Sequence, residues 1–158
     1  MKIRAVAALA AAALLMPGCL FEDGPEGDVD TLAAAQARWN AAATADYRIR
    51  EHWGCFCPCP RAFTAIVHDG DVTGVTEVEG FEGQSPESAE AAALGCARTV
   101  EELFAILRQN VDRADRYEAE FDPVRGFPTR ISIDPSREAA DEEIYVETSD
   151  FGVLRAAP

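Results

Sequence analysis

From residue 31 onward the apolar positions switch between two periods. In Thr31–Ala43, Leu32, Ala35, Trp39 and Ala42 recur at helical spacing, and Asp30 or Thr31 can cap the start. Asp46–Phe56 alternates instead. Tyr47, Ile49, Trp53 and Cys55 take one face and Arg48, Arg50 and His52 the other, with Glu51 as the one misplaced residue of a half-buried strand. Ala62–His68 and Val72–Val78 flank Asp69-Gly70, the strongest short hairpin signal in the chain. Glu79–Leu94 carries acids, no base, and Gly/Ser/Pro punctuation, which reads as an exposed excursion. Thr99-Val100-Glu101-Glu102 is a capping box, after which Val100, Leu103, Phe104, Leu107 and Val111 mark one helical face. Three strands follow, at Tyr117–Phe121, Thr129–Ile133 and Ile144–Thr148. The first two are joined by a Pro123-to-Pro128 turn containing Gly126.

Hairpin-linked strands make antiparallel sheets, and an amphipathic helix needs a sheet face on which to bury its stripe. The expected fold is therefore two-layer α+β. It has an antiparallel sheet of about six strands and two packed helices, in the order helix, three strands, helix, three strands. It forms a single globular domain over residues 31–155.

The segment before it has a different character. Lys2 and Arg4 precede an apolar run from Ala5 to Leu15, then Met16-Pro17-Gly18-Cys19. Eleven apolar residues rise only about 16 Å as a helix, roughly half of a ~30 Å hydrocarbon core. The layout is that of a secretory signal rather than a span. Its end resembles a bacterial lipobox, in which the cysteine after small residues is lipidated (palmitate among the acyl chains) and becomes residue one. Met16 stands where that pattern prefers Leu. The expectation is a lipoprotein signal peptide at 1–18, lipidation of Cys19, and an acidic flexible tether over 19–30, rich in Asp, Glu and Gly. In many Gram-negative bacteria a residue other than Asp after the lipidated cysteine goes with the outer membrane, and Leu20 fits that address.

Composition narrows the function classes. The chain of 158 residues carries 14 Lys+Arg against 28 Asp+Glu. Removing the signal takes Lys2 and Arg4 with it, leaving 12 basic residues and a net charge of −16. Nucleic acid is excluded as an expected partner, since phosphate backbones require clustered Lys and Arg. Lys2 is the sole lysine, so lysine-based catalysis is excluded from the mature chain. Two histidines and no G-x-S-x-G or H-E-x-x-H run leave no nucleophile–base set. No catalytic residue is identified, and the chain is not expected to be an enzyme or to carry a cofactor.

Five cysteines become four once Cys19 is assigned to lipid: Cys55, Cys57, Cys59 and Cys96. An exported protein meets an oxidising compartment, so disulfides are the expectation. Four cysteines allow three connectivities. On an extended chain, residues i and i+2 lie near the upper Cα limit for bridging, so a bridge within the cluster is expected to be strained. Cys55 or Cys57 is the expected partner of Cys96, and closing a loop of about 40 residues is worth roughly 4 kcal/mol. The alternatives are a soft-metal site for zinc or copper, with His52 or His68 joining the thiolates, and a reducible bridge serving thiol exchange. Spacing disfavours zinc, whose paired ligands generally have two or more residues between them.

Other polar groups read more simply. Asp134, Asp141, Glu142 and Glu143 form a solvated acidic loop rather than a calcium loop. Arg48 and Arg50 share one strand face and Glu118 and Glu120 another, so cross-strand pairing is expected.

Cys55-Phe56-Cys57-Pro58 after the Tyr47-Arg48 strand resembles an uncharacterised family of bacterial lipoprotein domains. So do Val72-Thr73-Gly74-Val75 after Asp69-Gly70, the run Thr99–Phe104, and Gly126-Phe127-Pro128 leading into Ile131-Ser132-Ile133-Asp134. The likeness spans Trp39 to Phe151. It implies an envelope location and a fold class, and no chemistry. The second half also resembles helix-then-hairpin units of periplasmic propeptide and lactamase-inhibitor-type domains, a likeness of fold alone.

These readings combine into a lipid-anchored cell-envelope protein, attached to the membrane through its N-terminal lipid and placed at the outer membrane. Its role is that of a binding or interaction module for an envelope protein or ligand. The alternative is a periplasmic thiol-redox or soft-metal handling protein built on Cys55, Cys57, Cys59 and Cys96. The anchor is directly testable. The wild type is expected to show an acyl mass addition at Cys19 that Cys19→Ala lacks, and release of the wild type as soluble protein would refute it.

Overall fold

The computed structural model describes residues 26–139 and 141–155. The signal segment, Cys19 and the first part of the tether lie outside the described residues. No described helix is long and apolar enough to cross a membrane.

The elements run α1 (Glu26–Ala42), β1 (Tyr47–Cys55), β2 (Ala62–His68), β3 (Asp71–Glu79), α2 (Pro86–Cys96), α3 (Val100–Asn110), β4 (Arg116–Phe121), β5 (Pro128–Asp134) and β6 (Ile144–Val153). The sheet is six-stranded and antiparallel throughout, in the order β3-β2-β1-β6-β5-β4. This is the expected α+β architecture, with two departures. α1 begins at Glu26, so residues 26–30, assigned to the tether from sequence, belong to the helix.

The second departure is a third helix. α2 occupies most of the stretch that the sequence pattern assigned to an exposed excursion. Ser85 caps it by accepting the Ser88 N–H at 3.3 Å, and Pro86 opens its first turn. Its buried residues, Ala89, Ala93 and Cys96, are small, so its stripe is faint beside the acids that flank it.

The sheet consists of two three-stranded meanders joined through β1 and β6. In β1, Tyr47, Ile49 and Glu51 point to the helix side, opposite Val67, Ala65 and Phe63 of β2. These residues share one core with Leu32, Ala35 and Trp39 of α1, Ala93 and Cys96 of α2, and Val100, Leu103, Phe104 and Leu107 of α3. Asp69 and Gly70 both take positive φ, as the two-residue hairpin requires.

Among the described residues no helix covers the other sheet face, which is laced with ion pairs. Arg50 pairs with Glu77 and Glu79 of β3, and Arg130 with Glu120 at 3.7 Å. The arginines of β1 therefore do not meet the glutamates of β4. The strand order sets β6 and β5 between them.

A bulge in β6 shapes the centre of the core. The register with β1 shifts between Arg48 and Arg50, and Asp150 takes φ 49°. Phe151 thereby stacks on Tyr47 and Phe127, with centroids 5.4 and 4.8 Å away, and meets Trp39 edge-on. The β4–β5 turn presses against α1 at Gly126, whose φ is 86° and where an added Cβ would lie 2.1 Å from the Ala35 carbonyl oxygen. Gly126→Ala is accordingly expected to lower stability by about 2 kcal/mol or more, through backbone strain and displacement of α1. Urea unfolding measures it, and a change below about 0.5 kcal/mol would show that the contact is not held.

Candidate functional site

The four cysteines meet where β1 ends. Past Cys55 the chain bends through Phe56, Cys57 and Pro58 instead of continuing extended, and this brings Cys55 and Cys57 into a disulfide with Cα atoms 5.2 Å apart. Cys59 then bridges to Cys96, the last residue of α2, with Cα atoms 5.7 Å apart. The expected staple from the cluster to Cys96 exists, but through Cys59 rather than Cys55 or Cys57. The reason is that the chain does not stay extended past Cys55. The bend shortens the i to i+2 span, and Cys59 lies on the far side of it.

The two bridges differ in what they do for the fold. Cys59–Cys96 spans 37 positions and joins α2 to the loop between β1 and β2. A loop of that size is worth roughly 4 kcal/mol in the chain-entropy account, against roughly 1.5 kcal/mol for a loop of about three residues. Cys96 is buried, whereas Cys55, Cys57 and Cys59 are half-buried. The sulfurs of Cys55, Cys57 and Cys59 all lie within 4.8 Å of one another.

Phe56, inside the short loop, is 86% exposed, and Phe81 is 48% exposed. Together with Cys55, Cys57 and Pro58 they line an open cleft of about 420 Å³. A phenylalanine so exposed within a covalently closed turn is not part of the core.

The remaining sequence candidates lie elsewhere. His52 is on the open sheet face, 4.0 Å from Glu147, and His68 sits at the β2–β3 hairpin, 3.2 Å from Asp46. That contact and the Asp69 N–H hold the Asp46 carboxyl below its usual range, the backbone bond foremost. Neither histidine joins the cysteine group. Asp134 accepts the Ser136 N–H in a local turn, and Asp141, Glu142 and Glu143 are exposed. Among the described residues, the three clustered cysteines are the one group of potential metal ligands.

Behind the disulfides stands a buried acid. Glu51 is fully buried on the helix side of β1. Its carboxylate accepts the Trp53 indole N–H at 2.8 Å and the Arg98 backbone N–H at 3.1 Å. Two residues further on, the Val100 N–H donates to the Tyr47 hydroxyl oxygen at 2.8 Å. Thr99 and Glu102 complete the capping box of α3. Arg98 turns its guanidinium back onto the Gly95 and Ala97 carbonyls at the end of α2. The junction Cys96–Val100 is thus tied to β1 by two hydrogen bonds and to the loop after β1 by one disulfide. Glu51 breaks the alternation of its strand because it serves this junction. Its place among Tyr47, Ile49 and Trp53 was the available signal, because an acid on a core face requires donors.

The matched length of the chain bears on identity. Residues 31–153 match a family of unknown function, DUF6174. The chain belongs to that family. The match includes all of the sheet and both disulfides, so the cysteine turn lies inside the DUF6174 domain rather than on an appendage. No curated protein and no solved structure matches the chain.

Burial pushes the Glu51 pKa up to about 7, against the lowering effect of the Arg98 N–H and the Trp53 indole. A folded-state pKa above the unfolded value near 4.5 gives stability that is fully present below the unfolded value and lost as pH rises through 7. The loss is on the order of 3 kcal/mol. The urea midpoint is expected to fall from pH 5 to pH 8 in the wild type and to fall much less in Glu51→Gln. Parallel pH profiles for the two proteins would show that Glu51 does not titrate in this range.

Proposed function

We propose that the protein is a lipid-anchored cell-envelope interaction module whose contact with its partners is thiol–disulfide exchange at the Cys55–Cys57 bridge. The observation that carries this reading is an accessible bridge that closes a very short loop beside an exposed phenylalanine. Stability does not require it, since the longer Cys59–Cys96 loop is the one that staples the fold. Exchange needs an attacking thiolate to reach a disulfide sulfur; both sulfurs of the Cys55–Cys57 bridge are half-buried, whereas the Cys59–Cys96 bridge has its Cys96 end buried. The lipid at Cys19 would hold this surface at the outer membrane, in a compartment where disulfides persist.

The reading assigns no hydrolytic or group-transfer chemistry to the domain. A soft-metal role gains less support, because a metal requires thiolates and all four sulfurs are engaged in disulfides. Binding without exchange is the second reading, favoured by the exposed Phe56 and Phe81 around the cleft.

One experiment separates the two. The oxidised protein is exposed to increasing reduced glutathione, quenched with acid, alkylated and mapped by peptide mass. Exchange is expected to give a glutathione adduct on Cys55 or Cys57, then free thiols at both, while Cys59–Cys96 and the far-UV circular dichroism stay unchanged. Opening of both bridges together, only on unfolding, would leave binding without exchange as the function.

A further inference from the structure

We propose that the Cys55–Cys57 pair is also the entry point through which the buried Cys59–Cys96 bridge is made, by disulfide transfer within the chain. The proposal rests on the exchange chemistry assigned above to the same pair and extends it to an internal acceptor. Three observations point to it. The sulfurs of Cys55, Cys57 and Cys59 lie within 4.8 Å of one another, so Cys59 is in reach of the Cys55–Cys57 bridge. Cys96 is only 7% exposed, which keeps it from oxidants in solution. Cys59, by contrast, is half-buried and stands between the exposed pair and Cys96.

Loop lengths set the order of events. In the reduced chain, Cys55 and Cys57 are two positions apart and meet without folding, whereas Cys59 and Cys96, 37 positions apart, must first close a long loop. The local pair therefore captures the first oxidising equivalent. Folding then brings α2 against the sheet through the Glu51 and Tyr47 contacts to the α2–α3 junction, and this delivers Cys96 to Cys59.

The chemistry balances with an external disulfide as the oxidant. A Cys55 or Cys57 thiolate attacks that disulfide and expels one external thiolate. The second cysteine of the pair then attacks the mixed disulfide, expels the other external thiolate and forms Cys55–Cys57. The Cys59 thiolate attacks the Cys57 sulfur and the Cys55 thiolate leaves, to be protonated by solvent. The Cys96 thiolate attacks the Cys59 sulfur and the Cys57 thiolate leaves. One disulfide has moved and two thiols are restored at Cys55 and Cys57. A second external disulfide then re-forms the exposed bridge, which gives the two bonds of the structure.

The test starts from fully reduced mature chain and supplies one equivalent of oxidised glutathione. Acid-quenched time points are alkylated and mapped by peptide mass. The Cys55–Cys57 bond is expected to appear first and to decay as Cys59–Cys96 grows, with no further oxidant. In the double variant Cys55→Ser/Cys57→Ser, formation of Cys59–Cys96 is expected to slow at least tenfold. Circular dichroism of that variant after prolonged oxidation checks that it folds. Persistence of Cys55–Cys57 without transfer would overturn the proposal, as would staple formation in the double variant at the wild-type rate. Because this experiment begins from reduced chain, its result is independent of whether the finished Cys55–Cys57 bridge opens to glutathione. A bridge that resists opening in a protein that still shows transfer would refute exchange with partners alone.

Discussion

The arrangement of the site depends on the grip of β1 on the junction between α2 and α3. Three alternate residues of one strand face, Tyr47, Ile49 and Glu51, point at the helices. The outer two accept backbone N–H groups from Val100 and Arg98. Arg98 lies in the short turn between two helices and Val100 is the first residue of the second, positions where a backbone N–H has no intrahelical partner. An apolar residue at position 51 would pack but would leave the Arg98 N–H buried without an acceptor, a loss of about 1–3 kcal/mol. The carboxyl of Glu51 resolves that local deficit, and the same contact fixes how far Cys96 lies from the end of β1. Sulfur geometry at the surface thus follows from a hydrogen bond in the interior.

Beyond that grip, the molecule separates structural from available sulfur. The long bridge lies partly beneath the surface and joins two layers of the fold. The short one rides on a bend that projects past the sheet, with Phe56 outward. The open sheet face contributes nothing comparable. Arg50 is occupied by Glu77 and Glu79, Arg130 by Glu120 and the Tyr145 ring, and the face reads as a solvated set of neutralised charges.

Much of this architecture was legible in the residues because local signals agreed with one another. Asp69-Gly70 between alternating runs set the β2–β3 hairpin, and Thr99 with Glu102 set the start of α3. α2 escaped notice because its buried side chains are mostly alanines, which give little contrast against surrounding acids, although Ser85-Pro86 marked its start. Pairing between distant strands was not legible. Arg50 and the β4 glutamates look complementary in the sequence, and only the strand order keeps them apart. For the site, the cysteines themselves were evident, while their pairing depended on a bend at Phe56–Pro58 that alternation along β1 does not announce. Glu51 was visible as an exception to its strand, and its partners lay 47 positions away at Arg98, beyond the reach of any local pattern.

The pairing of β1 with β6 has a consequence for how the chain is assembled. These strands are the first and last of the sheet in sequence, yet they lie side by side at its centre. A chain emerging from its N-terminus holds one meander whose inner edge, β1, stays unpaired until residues 144–153 arrive. Such an edge is the kind of surface that recruits foreign strands, and closing it requires the most sequence-distant contact in the sheet, which is slow to form. The vulnerable interval therefore lasts from the completion of β1 at Cys55 to the start of β6 at Ile144, more than half the length of the chain. A stop just ahead of Ile144 would part the sheet along its middle rather than trim its margin.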